Sequence, residues 1–163
     1  SRQMIRHPFP PLYDENSKIL ILGSFPSVKS REQLFFYGHP QNRFWKVTSA
    51  VFGVKTPNTI QEKKDFLLSC NIALWDVIAS CDIQGSSDSS IRDVTANDLS
   101  PILSNSKVER IFTNGKTADK FYKKYTFKTT GIQATCLPST SPANAAWSVE
   151  KLTEAWKIIC TDS

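Results

Sequence analysis

The sequence contains no run of about 18 apolar residues, the length a membrane-spanning helix needs. Its first residues carry no apolar signal core, so no membrane role is expected. The four cysteines, Cys70, Cys81, Cys136 and Cys160, form no CxxC or Cys/His pattern, and there are two histidines. Zinc and iron–sulfur sites are thereby disfavoured, and no metal or organic cofactor is expected. The thiols read as reduced, core or half-buried groups of a cytoplasmic protein. No G-x-S-x-G nucleophile elbow is present, and "TNGK" at 113–116 lacks the preceding glycine of a phosphate loop. No pair of carboxylates falls at the predicted strand ends, which leaves the two-acid glycosidase arrangement unsupported.

What is present fits one soluble domain. The chain has 163 residues, 40% hydrophobic and 21% charged, enough for a real core and unlike a disordered composition. A net charge of +5 favours an anionic partner, nucleic acid first.

Residues 1–17 are rich in proline and read as an extended arm lying on a single domain, 18–160. Ile19 to Leu22 is a continuous apolar run, the mark of a strand covered on both faces. Phe44, Val47, Thr48 and Val51 follow helical spacing up to Gly53, with Asn42 placed to cap the helix. Thr59 and Glu62 form a capping box for a second helix with Ile60, Phe66 and Leu67 as apolar positions, and Asn71 suits a left-handed end. Ile72 to Ile78 reads as a second buried strand carrying Asp76. "GSSDSS" at 85–90 is a flexible polar loop. Thr95 or Asn97 can cap a short helix with Leu99, Ile102 and Leu103. Val108 to Thr113 is a third strand, and Ala118, Phe121, Tyr122 and Tyr125 share a helical face. Ile132, Ala134 and Cys136 alternate as a fourth strand, and Ser148 caps a last helix with Val149, Leu152, Trp156 and Ile159 inward. Alternating strands and helices predict a three-layer α/β/α domain around a mostly parallel four-stranded sheet.

In such a sheet "GSFPS", the "WD" of the second strand and "LPSTSPAN" project from one edge, where α/β proteins build ligand clefts. "ILGSFPS", "FYGHPQNRFWK" and "LPSTSPAN…WSVEKLTEAW", in that order across residues 18–157, are together similar to the uracil-DNA glycosylase superfamily. "HPQNRFWK" is close to the mismatch-specific uracil/thymine branch. That branch carries an Asn before the first-motif proline to position the attacking water, where this chain has Phe25. The His of the classical second motif is replaced by Leu137. The combination with "ALWDVI" resembles the hypoxanthine-DNA glycosylase branch, also called DNA-deoxyinosine glycosylases.

The resemblance implies a monofunctional glycosylase acting on double-stranded DNA that holds a deaminated base, hypoxanthine above all; a monomer is expected. It places Tyr37 as the stacking platform for a flipped base, against the plainer reading of an aromatic packed on its own loop. Asn42 becomes the leading catalytic amide, able to bind the base or hold water, or simply an N-cap. The amides of Gly23, Ser24 and Phe25 would face the base oxygen, with Phe25 a pocket wall or core residue. Asp76 would orient Asn42 or a water, or act structurally, and His39 would border the base or fix its loop. Ser139, Thr140 and Ser141 would meet the DNA backbone, or form a polar turn between prolines. Asn144 would face the widowed base, and Ser27, Arg43 and Lys116 would serve the phosphates, with Lys29, Arg31, Lys46 and Lys120 nearby. Two rival readings stand beside this one. The first is a uracil or thymine mismatch enzyme using Asn42 or Asp76 in place of the missing Asn. The second is an inactive nucleic-acid-binding domain on the same fold.

Overall fold

The computed structural model describes residues 4–160. Its centre is a parallel sheet of β2 (Ile19–Gly23), β3 (Ile72–Asp76), β6 (Arg110–Asn114) and β7 (Ala134–Leu137), in the order β3-β2-β6-β7. Every residue of β2 and β3 is buried, as their unbroken apolar runs require. Register pairs Gly23 with Asp76, and Asn114 with Leu137, so all four strands end at one edge.

Helices flank this sheet. α1 (Val28–Gln33) starts at Ser27, whose hydroxyl accepts from Ser30 N–H. α2 (Phe44–Phe52) ends at Gly53 in the left-handed conformation. α3 (Ile60–Ser69) opens with the Thr59–Glu62 capping box, although Ile60 is exposed and only Phe66 and Leu67 of the expected apolar set are buried. α4 (Ser100–Ser104) is short. α5 (Lys116–Phe121) passes through a π-turn at Tyr122–Thr126 into α6 (Phe127–Thr130). α7 (Val149–Trp156) is capped by Ser148 and packs on α2, α3 packs on β3, and α5 packs on β6 and β7.

A second sheet departs from the expectation. β1 (Met4–Arg6), β4 (Ile78–Asp82) and β5 (Arg92–Ala96) pair antiparallel in the order β1-β4-β5. The run 72–78 is therefore two strands. Val77 and Ile78 donate their N–H groups to the carbonyls of Gly23 and Ser24, and the chain then leaves the parallel sheet. An apolar run carries no mark of which sheet it joins, so the break at Val77 is invisible to periodicity. Thr95 lies in β5 rather than capping α4. Asp98 accepts from Ser100 N–H instead, and Asn97 Nδ2 donates to the Asp76 carbonyl.

The first three residues of the expected arm lie outside the described residues. Residues 4–17 are woven into the fold: Leu12 exchanges backbone hydrogen bonds with Leu74, His7 N–H donates to the Ala79 carbonyl, and Phe9 is buried in the core. Of the thiols, Cys81 is buried, Cys70 is half-buried, and Cys136 and Cys160 are exposed, contrary to a core or half-buried reading for all four.

Candidate active site

The four strand ends and their loops enclose a cleft of about 320 Å³. That is near the lower end of ligand-pocket sizes, about 300–1,000 Å³, and suits a single base. Its lining joins Gly23, Ser24, Phe25, Ser27, Tyr37, His39, Asn42, Asp76, Ser139, Thr140 and Ser141, drawn from three separate stretches of sequence. Lys116, Arg43 and Asn144 are outside this lining; Lys116 and Asn144 border an adjoining depression with Ser139, Ser141 and Trp147.

One side of the cleft is an amide network. Asn42 Oδ1 accepts from Phe44 N–H at 2.9 Å and from the Thr140 hydroxyl at 2.9 Å. A backbone N–H can only donate, so the atom facing it must be the amide oxygen, and Asn42 offers its NH₂ elsewhere. Asn42 thus anchors the start of α2 from one residue before the formal cap, Arg43, whose side chain caps nothing. Thr140 is completely buried. Its N–H donates to Asn114 Oδ1 at 3.0 Å, and its hydroxyl accepts from Asn114 Nδ2 at 3.0 Å. A buried Thr140 does not meet a DNA backbone; it couples two asparagines, which corrects its assignment as a DNA contact.

A second part of the lining is aromatic. Tyr37 adopts a left-handed backbone, φ 50°, uncommon for a bulky residue. Trp45 Nε1 holds its carbonyl at 3.0 Å, and its ring stacks on Phe44 at 4.1 Å and 11°. One ring face is thereby fixed and the ring borders the cleft. Burial, reinforced by the Asp76 charge and opposed by Asn114, pushes the Tyr37 hydroxyl far above its usual range, so it stays protonated. This hydroxyl makes no hydrogen bond of good geometry among the described residues. Phe25 is both cleft wall and core residue: it is buried, edge-on to His7 at 6.0 Å, and has the Arg31 guanidinium over its ring.

At the floor, Asp76 is 4% exposed. Its Oδ2 lies 2.7 Å from His7 Nε2. Position 23 must be glycine here, because a Cβ would overlap Asp76 Oδ1 and come within 3.3 Å of the Tyr37 hydroxyl.

The loop after β7 is held from within. The Arg43 guanidinium donates to the carbonyls of Thr140 at 3.3 Å, Ser141 at 2.7 Å and Asn144 at 3.0 Å, and also to that of Trp147. A fork of donors committed to four carbonyls is a brace, so the expected role of Arg43 as a phosphate contact is replaced by support of the loop. Asn144 Nδ2 donates to the Ser139 carbonyl, and Ser139 Oγ accepts from Ser141 N–H. His39 Nδ1 accepts from Gln41 N–H at 3.1 Å, so it shapes its own loop while bordering the cleft.

Three contributors escaped sequence reasoning. Asn114 ends the third strand of the sheet; treating all four strand ends alike would have found it. His7 gave no signal, since its partner is 69 residues away. Asp88 belongs to the polar stretch 85–90, whose composition predicts a flexible loop, yet the structure fastens that loop at the cleft. Ser24 Oγ donates to Asp88 at 3.0 Å, Val28 N–H to Ser86 Oγ at 2.9 Å and Arg31 to the Gly85 carbonyl at 3.2 Å. Desolvation pushes the Asp88 carboxyl up, the Ser24 bond opposes this, and the Asp76 charge adds to it. Two carboxyls therefore do share the cleft, although only one comes from a strand end.

The model of the Uracil DNA glycosylase superfamily matches residues 10–160. A curated Methanosarcina acetivorans protein named hypoxanthine DNA glycosylase is 36% identical over 158 residues, covering 96% of this chain and 98% of its own. A Methanosarcina barkeri protein of the same name is 32% identical over 143 residues, covering 86% and 89%. The solution NMR structure of an M. acetivorans protein, provisionally named a uracil DNA glycosylase, matches with TM-score 0.81 and 34% identity over 97% of each chain.

Proposed function

Because the chain belongs to the uracil-DNA glycosylase superfamily, we propose that it is a monofunctional DNA glycosylase that excises hypoxanthine from double-stranded DNA. The names of its Methanosarcina relatives support the substrate. The observation that carries the chemistry is the locked polarity of Asn42, whose oxygen is held by Phe44 N–H and the Thr140 hydroxyl. With the oxygen occupied, the NH₂ is the group that Asn42 has left to offer a base in the cleft. Hypoxanthine presents an oxygen at C6 where adenine presents an amino group, so a fixed donor favours the deaminated base.

In this reading the nucleotide leaves the duplex, at a cost of a few kcal/mol, and its base packs against Tyr37 where that residue borders the cleft. The C1′–N bond breaks with its electron pair passing to the base. Asn42 and the Ser24 and Phe25 amides stabilise the charge arriving there; each such donor is worth about 10²–10³ in rate. Water adds to C1′, and its proton passes to the Asp76 carboxylate. Among the described residues no lysine lines the cleft, which supports hydrolysis rather than imine-forming lyase chemistry. Ser27, Ser139, Ser141 and Lys116 are the groups offered to the DNA backbone around the cleft, and Arg43, Thr140 and Asn144 act by shaping the loop that carries two of them.

Asn42→Asp tests the reading, since it keeps the side-chain shape and replaces the NH₂ with an oxygen. Single-turnover release of hypoxanthine should fall by about 10² or more, with duplex affinity little changed. Equal loss of affinity and rate would make Asn42 structural.

A further inference from the structure

His7 has no place in the sequence motifs, and its burial with Asp76 violates a packing rule. Side-chain exposure is 3% for His7 and 6% for Asp76. His7 is surrounded by rings: Phe9 at 4.5 Å, Trp75 at 4.4 Å, Phe25 at 6.0 Å and Phe36 at 6.3 Å. Its Nδ1 is buried without a hydrogen-bond partner among the described residues. An apolar aromatic at position 7 would fill this cage without orphaning a nitrogen, but it would leave the buried Asp76 carboxyl without its partner, so the histidine serves Asp76 rather than the packing. A local rule broken beside a cleft, with no gain in packing, points to function.

The second sheet explains how His7 arrives. β1 pairs with β4, and His7 N–H donates to the Ala79 carbonyl at 2.7 Å, three residues beyond Asp76 along the chain. The imidazole therefore reaches Asp76 from outside the cleft lining. Asn97 Nδ2 holds the Asp76 carbonyl at 2.8 Å. Backbone and carboxyl of Asp76 are thus fixed by separate residues, and Oδ1 lies against Gly23 at the cleft floor.

We propose that His7 is a positioning residue for glycosidic-bond hydrolysis, holding the Asp76 carboxylate in the orientation that accepts the proton of the attacking water. This rests on the glycosylase reading above. In the step, the water oxygen bonds C1′, the C1′–N bond releases its pair to the base, and the water proton moves to Asp76. His7 donates through Nε2 to Oδ2 throughout and exchanges no proton.

The test compares wild type, His7→Phe, His7→Gln, Asp76→Asn and the double variant combining His7→Phe with Asp76→Asn. Each is measured in single-turnover excision from a hypoxanthine duplex, with duplex affinity and thermal unfolding followed alongside. His7→Phe should lower the rate about 100-fold with affinity within about twofold. His7→Gln, which retains a donor, should recover at least about a tenth of wild-type activity. The double variant should be no slower than Asp76→Asn alone, because His7 acts through Asp76. An unchanged His7→Phe rate, parallel loss of rate and affinity, or additive losses in the double variant would overturn the proposal. So would full activity in Asp76→Asn. Absence of base release by the wild type would instead overturn the glycosylase reading, and this proposal with it.

Discussion

The Thr140 hydroxyl donates to Asn42 Oδ1 at 2.9 Å across 98 residues of sequence, joining the loop after β7 to the start of α2. The same hydroxyl accepts from Asn114, so one buried group sets the orientation of two cleft amides. Thr140→Val keeps the volume and removes both bonds. It should destabilise the fold by about 1–3 kcal/mol, the cost of unpaired buried polar groups. Excision should fall by at least about tenfold as Asn42 loses one of its two anchors. Denaturant unfolding and single-turnover kinetics on one preparation check both effects.

Arg43 makes a second long-range link, and its planar fork is the reason. Arg43→Lys keeps the charge and loses the ability to meet the carbonyls of Thr140, Ser141, Asn144 and Trp147 together. The variant should bind hypoxanthine duplex at least about tenfold more weakly, with a loosened 139–147 loop reported by faster amide exchange there. Unchanged exchange would show that the loop holds itself.

Asp88 provides a pH dependence. Its folded carboxyl titrates above the ordinary value, chiefly through desolvation. The folded state therefore holds the proton more tightly than the unfolded chain. Stability associated with this group is present at low pH and is lost as pH rises through the unfolded and then the folded value. Asp88→Asn removes the penalty. It should raise the melting temperature at pH 7, and the gain should shrink as pH falls through the raised folded value and vanish below the unfolded value, about 4. The bond from Ser24 Oγ loses its charged acceptor but keeps an amide oxygen, which works slightly against this gain, so Ser24→Ala serves as the control.

Sequence and structure agree most where one element decides its own fate. β2 is all apolar, α3 carries its capping box and α7 its Ser148 cap, and these are readable from a few adjacent residues. Gly53 and Asn71 take the left-handed conformations expected of them. Failures occur where the deciding partner is distant. The split at Val77 depends on β1 and β5, the burial of Thr140 on Asn42 and Asn114, and the value of His7 on Asp76. Motif resemblance located Tyr37 and Asn42 at the cleft but could not reveal that Arg43, two residues before a buried tryptophan, braces the opposite loop. Its charge suggested phosphate, and only the positions of four carbonyls show otherwise.

On the proposed function, the amide donors of the cleft select a deaminated purine, and Phe25 stands in the place of a water-positioning asparagine. Single-turnover excision by the wild-type chain from otherwise identical duplexes carrying hypoxanthine, uracil or adenine tests it most directly. Hypoxanthine should be released at least about tenfold faster than uracil, with adenine untouched, a ratio within reach of one or two hydrogen bonds made or missed. Rapid release of uracil with little release of hypoxanthine would contradict the account.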